Sequence, residues 1–166
     1  IKENAYCYIT AAIRLAGMLQ DQGRYSESNQ VLDKIQSRFN KTNAAHRYGL
    51  HFSASVTCHA MMARNYGEIG DYAMARKHAS ATIMFVRQNK NPLAAIYGLS
   101  YASTYLIREE RFESALSYFA EAFEVCVFLK TNLLYPFVAA QFGYVLFRTG
   151  KKNRGFELME EACAVA

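Results

Sequence analysis

Apolar and polar positions follow the period of amphipathic helices along almost the whole chain. Apolar side chains recur three or four residues apart on both sides of short polar turns, as at Ala102, Tyr105 and Leu106 and again at Leu116 and Phe119. Because only a few residues connect consecutive stretches, their helices must lie side by side and antiparallel. The pattern predicts eight helices over residues 3–22, 25–39, 44–69, 72–89, 92–109, 112–129, 132–149 and 152–165.

The turns between these helices repeat along the sequence. Their central positions, spaced by 47, 40 and 40 residues, are Gly23, Gly70, Glu110 and Gly150. An aromatic residue follows the first three turn positions, at Tyr25, Tyr72 and Phe112. A small residue then follows, at Ser28, Ala75 and Ala115. We expect the ring to wedge between the two helices and the small residue to let their backbones approach. The chain is therefore interpreted as one domain of four repeats, at about 3–40, 44–89, 92–130 and 132–165.

Asparagines precede the first helix of three of these repeats. Asn91 is followed by Pro92, a combination typical of a helix start in which Asn is the N-cap and Pro the first helical residue. Asn43 and Asn132 are predicted to play the same N-cap role in their repeats.

The spacing of small, aromatic and glycine residues resembles the tetratricopeptide repeat (TPR) family over about the whole chain. The matching residues are Ala63, Tyr66, Gly70, Tyr72 and Ala75 in the second repeat, Ser103, Leu106, Phe112, Ala115, Phe119 and Ala122 in the third, and Gly143, Leu146, Gly150 and Ala162 in the fourth. The resemblance implies an all-α, right-handed α-solenoid of about four antiparallel helix pairs. Two features depart from the family. Its early Trp is replaced by Ala12, His59, Leu99 and Ala139, and the period is 40 residues or more rather than about 34.

The longer period is similar to the extended repeats of bacterial signal-responsive regulators, such as maltose-type activators. It also overlaps the period of HEAT-like arrays, which stay open as an alternative. The chain begins at Ile1 with no basic and apolar leader, so no signal peptide is predicted and we interpret the chain as part of a longer protein. The apolar last residues, 162–166, are interpreted as the boundary of that part or as a surface that packs on another repeat or subunit.

Composition narrows the possible functions. Of 166 residues, 52% are apolar and 20% charged, which excludes a disordered segment. The net charge of +5 is spread along the chain without a Lys/Arg run, so nucleic-acid contact is not expected. The longest uncharged stretches, 91–107 and 131–147, are shorter than a membrane span. The cysteines are widely spaced, at Cys7, Cys58, Cys126 and Cys163, and are predicted to be reduced and mostly buried, as in a cytoplasmic protein.

Motifs of enzymes and metal sites are missing from the sequence. The run from Thr149 to Lys152 lacks the glycine and hydroxyl positions of a phosphate-binding loop. The histidines are predicted to be structural or solvated and not metal ligands, at His46, His51, His59 and His78. We therefore predict no catalytic activity, no metal and no cofactor.

Candidate binding residues lie on the first helix of each repeat. In a solenoid of helix pairs these helices line the concave side. The TPR register places one arginine per repeat there, with aromatic residues added in the last two repeats. The predicted groove residues are Arg14, Arg64, Tyr97, Tyr101, Arg108, Phe137, Tyr144 and Arg148. Forked guanidinium donors and flat rings suit an extended, acidic or aromatic-containing peptide or an anionic small effector.

Two interpretations of this groove stay open. In the first, the chain is the sensing or partner-binding region of a larger cytoplasmic, bacterial regulator, for example of transcription. In the second, the arginines only solvate the groove and the rings pack between helices. The chain would then be a scaffold or oligomerisation module that dimerises through its terminal helices.

Overall fold

The computed structural model describes residues 2–39, 45–89 and 91–165, and these residues form helices and no strand. The all-α prediction is thus confirmed. The helices are α1 (Lys2–Asp21), α2 (Tyr25–Gln36), α3 (Ala54–Ile69), α4 (Tyr72–Asn89), α5 (Pro92–Arg108), α6 (Phe112–Leu129), α7 (Tyr135–Arg148) and α8 (Lys152–Val165). Within the described ranges, none of them is both long and apolar enough to cross a membrane.

All four predicted turn positions adopt left-handed backbone conformations. The φ angles are 74°, 87° and 91° at Gly23, Gly70 and Gly150, and 57° at Glu110. A glycine enters this region without steric cost, whereas Glu110 reaches it against the clash of its own Cβ. The repeat assignment thus identified the turns correctly, including the one that lacks glycine.

The small residues after the first three turns are buried, as predicted. Ser28, Ala75 and Ala115 are completely buried. The ring of Phe112 is buried too, and the hydroxyl of Tyr72 donates a hydrogen bond of 2.9 Å to the backbone carbonyl of Arg108 in the following hairpin. Tyr72 therefore contributes a contact between two hairpins, a role that differs from the predicted wedge within one hairpin.

The structure corrects two predicted helix starts. α3 begins at Ala54, not at residue 44, because Tyr48 and Gly49 take left-handed φ angles that interrupt a helix. Its N-cap is Ser53, whose hydroxyl accepts a hydrogen bond from the backbone N–H of Val56. The N-cap predicted at Asn43 lies outside the described residues. The helix predicted over 25–39 ends earlier, at Gln36.

The start predicted at residue 132 is also wrong, since α7 begins at Tyr135. Pro136 has no backbone N–H to donate and is tolerated only in the first helical turn, so a helix capped by Asn132 would lose its first internal hydrogen bond. The third predicted cap is confirmed: the Asn91 side chain accepts a hydrogen bond of 3.1 Å from the backbone N–H of Ala94.

Packing follows the order of the chain. α3 packs on α1, α2, α4 and α5, and α5 packs on α3, α4, α6 and α7. Among the described residues, the backbone contacts between helices join helices of the same or of adjacent hairpins. The odd-numbered helices therefore form one continuous layer. The helices α2, α4 and α6 each lie against the odd-numbered helices before and after them in the chain, and α8 lies against α7.

A buried polar network fixes the register of the first three helices. The side-chain oxygen of Asn65, a fully buried residue of α3, accepts a hydrogen bond of 2.6 Å from the Gln20 amide of α1. The amide nitrogen of Asn65 donates 2.9 Å hydrogen bonds to the side-chain oxygens of Ser28 and Asn29 in α2. A buried polar group without a hydrogen-bond partner lowers the stability of the fold. The network therefore favours the one alignment of the three helices in which these hydrogen bonds form.

Candidate functional site

Two neighbouring cavities lie on the surface formed by α1, α3, α5 and α7, which we call the odd-helix face. The first cavity has a volume of about 420 Å³, and the second has a volume of about 250 Å³. Residues that line the first cavity include Arg14, Met18, Leu50, Phe52, Met61, Tyr97 and Tyr101. Residues that line the second cavity are Arg64, Glu68, Thr104, Ile107, Arg108, Phe137, Gln141 and Tyr144.

Four aromatic rings run from one cavity to the other, and we call them the aromatic ladder. The ring centroids are 4.7 Å apart between Phe52 and Tyr97, 4.4 Å between Tyr97 and Tyr101, and 4.7 Å between Tyr101 and Phe137. Tyr97 and Tyr101 are one turn apart in α5, so their side chains share a face of the helix. The ladder thus joins residues of the second, third and fourth repeats.

Arg64 lines the second cavity and lies over an aromatic ring of the first. Its guanidinium carbon is 5.5 Å from the centroid of the Tyr101 ring, within the range of a cation–π interaction. Among the described residues, no ion pair joins a carboxylate to Arg64 or to Arg14, which lines the first cavity. These two guanidinium groups therefore retain hydrogen-bond donors for a ligand.

The other two predicted arginines are already engaged. Arg108 donates a hydrogen bond of 2.9 Å to the carboxylate of Glu68, and this hydrogen bond raises the pKa of the guanidinium. Arg148 lies 4.1 Å from the ring centroid of Phe112 and donates to the Tyr144 hydroxyl at 2.8 Å. It lies beside the second cavity but does not line it. The structure thus brings seven of the eight predicted groove residues to the cavity walls.

Burial and ion pairing determine which groups on the odd-helix face carry a charge. Burial raises the pKa of the Tyr97 phenol, so that the hydroxyl stays neutral at physiological pH. The second cavity contains two guanidinium groups and one carboxylate, and Glu68 is paired with Arg108. Among the charged residues that line the second cavity, Arg64 is therefore the one without an ion-pair partner in the described part of the chain.

Phe52 is the ring of the aromatic ladder that the sequence interpretation missed. It precedes the Ser53 N-cap, a position where an apolar residue commonly packs back on its helix. A helix start placed at Ser53 would have identified it. With the start placed at residue 44, Phe52 falls inside a helix and its contact with Tyr97 is not expected.

Two histidines meet away from the odd-helix face. The Nδ1 atoms of His59 and His78 are 2.9 Å apart, and the Gln36 amide nitrogen is 3.0 Å from the same His59 atom. Burial lowers the pKa of each imidazole to about 4, so both are neutral at physiological pH. One N–H between the two nitrogens makes the hydrogen bond. Within the described part of the chain, no three His, Cys, Asp or Glu side chains are grouped to hold a metal ion.

The cysteines are all free thiols, two buried and two exposed. Burial raises the pKa of Cys58 to about 12 and that of Cys126 to about 11, so neither is a thiolate nucleophile at physiological pH. The prediction of mostly buried thiols is therefore correct only for these two. Cys7 and Cys163 are exposed.

The odd-helix face thus offers two adjoining cavities, a ladder of rings between them and two arginines without carboxylate partners among the described residues. This combination has the chemistry of a binding surface, with shape and charge supplied by the first helices of all four hairpins. Searches against family models, curated proteins and solved structures found no match to this chain.

Proposed function

We propose that this chain is a TPR-like binding module whose four hairpins stack as a right-handed solenoid and hold an extended partner segment on the concave side. The odd-helix face is that concave side. The left-handed turns at a spacing of about 40 residues and the packing between adjacent hairpins support this arrangement. The chain acts as the sensing or partner-binding region of a larger cytoplasmic regulator of bacterial type, for example of transcription.

The aromatic ladder is the observation that carries this proposal. Two of its rings, Tyr101 and Phe137, remain partly exposed although they pack on each other, whereas Phe52 and Tyr97 are buried. Aromatic rings give a ligand a large contact area, and they lose little conformational entropy when it binds. A ladder that spans three repeats suits a ligand that extends along the helix stack.

The proposal can be tested with peptides selected from a random dodecapeptide display library on the immobilised chain. We expect Tyr101→Ala to weaken binding of the selected peptides by about tenfold or more, because this ring lines the first cavity and packs on Phe137, which lines the second. Isothermal titration calorimetry measures the affinity, and urea unfolding checks that the variant is folded.

Phe128→Ala is the matched control. Its ring is 83% exposed on α6 and lines neither cavity, so its removal should leave the affinity unchanged. Selected peptides that bind the Tyr101→Ala chain as tightly as the unaltered chain would place the ligand elsewhere and overturn the proposal.

A scaffold that joins copies of the chain is the second candidate. Apolar side chains are exposed on both terminal helices, among them Leu15 and Met18 on α1 and Phe156 on α8. Sedimentation velocity over a hundredfold concentration range separates the candidates. A dimer that Phe156→Ser disrupts supports the scaffold, and a monomer at every concentration excludes it.

A further inference from the structure

We propose that the odd-helix face recognises a bipartite segment of an extended peptide: an apolar side chain in the first cavity and a carboxylate, two or three residues along, in the second. Arg64 is assigned as the residue that selects the carboxylate. This inference rests on the proposed function and adds the chemical class and the spacing of the ligand.

The first cavity suits an apolar side chain. Met18, Met61 and Leu50 contribute flexible apolar walls, and Phe52 and Tyr97 contribute flat ones. Methionine thioethers adapt to side chains of different shape, so such a cavity accepts several large apolar residues. Arg14 and Asp21 are also among the residues that line it, and their opposite charges leave no net preference for an anion.

The second cavity suits a carboxylate, and Arg64 is the group that provides the charge. Thr104, Gln141 and Tyr144 add polar side chains around it. Arg108 and Glu68 neutralise each other at 2.9 Å, so a ligand carboxylate that approaches Arg64 meets little repulsion from Glu68. A half-buried guanidinium without an ion-pair partner in the described residues gains a charge-assisted hydrogen bond when such a ligand binds.

The ladder sets the distance between the two groups of the ligand. Tyr97 lines the first cavity and Phe137 the second, and two ring-to-ring steps of 4.4 and 4.7 Å separate them. An extended peptide advances about 3.3 Å per residue, so about two or three residues cover this path. Side chains two residues apart point to the same side of an extended chain, which suits two cavities on one surface.

The test uses an array of acetylated, amidated dodecapeptides, so that the only carboxylate is a chosen side chain. Each peptide carries one Phe, Leu or Met, followed two, three or six positions later by Glu or by Gln. We expect the Glu peptides with the shorter spacings to bind about tenfold or more tightly than their Gln counterparts, and the spacing of six to lose this advantage.

Variants of the chain identify the group that selects the carboxylate. Arg64→Gln should remove the difference between Glu and Gln peptides, and Arg64→Lys should keep part of it because the positive charge stays. Arg154→Gln, on the exposed surface of α8, should keep all of it. Urea unfolding checks that each variant is folded. If Arg64→Gln does not fold, a Glu-over-Gln difference that is reduced in Arg64→Lys supports the assignment, and an unchanged difference overturns it.

The outcomes separate this inference from the proposed function. If Glu and Gln peptides bind equally and Tyr101→Ala abolishes the binding of both, the carboxylate assignment is overturned and the proposed peptide-binding function stands. Binding that does not depend on Tyr101 overturns both. The small carboxylate 4-phenylbutyrate tests whether a peptide is needed. If it binds through Arg64 as tightly as the best array peptide, the assignment of a peptide as the ligand is overturned.

Discussion

Gly143 of α7 and Gly155 of α8 face each other at a distance that leaves no room for a methyl group on either residue. A Cβ on Gly143 would lie 2.6 Å from the carbonyl oxygen of Gly155, and a Cβ on Gly155 would lie 2.5 Å from the carbonyl oxygen of Gly143. The last hairpin is thus held together by direct backbone contact. Sequence comparison with the TPR pattern identified Gly143 as a small position but did not identify its partner.

We expect Gly155→Ala to lower the free energy of unfolding by about 1–3 kcal/mol, because the added methyl group must push the two helices apart. Urea unfolding followed by circular dichroism measures this change. Gly17→Ala in α1 is the control, since the nearest atom to its new Cβ, in Met61, is 3.9 Å away. An alanine that is tolerated equally at both positions would contradict the close approach.

Replacement of Glu110 by glycine should stabilise the third turn. Glu110 has a φ of 57°, and its carboxylate is 4.0 Å from the Arg148 guanidinium in an exposed pair that contributes little. Relief of the left-handed strain should therefore raise the free energy of unfolding by about 1 kcal/mol. Thermal unfolding measures the gain.

The reciprocal change at the equivalent turn is Gly70→Ala. No atom lies within 4 Å of the added Cβ, so its effect comes from the φ of 87° alone. We expect the free energy of unfolding of this variant to be about 1 kcal/mol lower than that of the unaltered chain. Opposite signs at Glu110 and Gly70 test the equivalence of the two turns, and the same sign at both would refute it.

Replacement of the buried Asn65 should destabilise the fold far more than replacement of an exposed asparagine. Asn65→Leu leaves the polar groups of Gln20, Ser28 and Asn29 without their buried partner, which we expect to cost about 2–3 kcal/mol of unfolding free energy. Asn153→Leu, on the exposed side of α8, should cost less than about 0.5 kcal/mol. Denaturation of both variants in urea gives the comparison, and equal costs would argue against a structural network.

The His59–His78 pair should make the fold sensitive to acid. Burial holds both pKa values near 4, whereas an unfolded chain protonates its histidines near pH 6.5; the positive charge of Lys77 acts in the same direction. As pH falls from about 6.5 to 4, the unfolded state binds protons first, so the folded state loses stability. Two independent shifts of this size would cost about 6 kcal/mol at pH 4. Because the two imidazoles are coupled through one hydrogen bond, which a first proton strengthens, we expect a loss of about 3 kcal/mol for the pair.

Urea unfolding at several pH values between 7.5 and 4 measures this loss. His59→Gln, which keeps a hydrogen-bonding side chain beside His78, should flatten the dependence. His51→Gln removes an exposed histidine outside the pair and should leave the dependence as it is. A stability that does not change between pH 6.5 and 4.5 would contradict the burial of two neutral imidazoles.

Local features of this fold could be predicted from the sequence. The turn at Glu110 was found without a glycine because the aromatic and small residues that follow it repeat those after Gly70. The Asn91 cap was found because the side chain acts on a backbone N–H three residues away. Such features depend on a few consecutive residues, and their physical causes are therefore visible in the sequence.

Features that depend on contact between hairpins could not be predicted in the same way. Arg108 was expected to point freely into a groove, but it pairs with Glu68, one repeat earlier in the chain. Phe52 joins the aromatic ladder only because its loop brings it onto Tyr97. The burial of each of these side chains depends on how closely neighbouring hairpins pack. No local sequence pattern specifies the distance between hairpins.

The packing of each hairpin only on its neighbours has a consequence for how the chain folds and opens. Among the described residues, inter-helix contacts stay within one hairpin or reach the next one, so the contact order is low for a chain of 166 residues. Structure can nucleate in the middle hairpins and spread outward, and loss of structure can start at either terminus. Amide protons of α3 and α5, which pack on helices on both sides, should exchange with solvent most slowly.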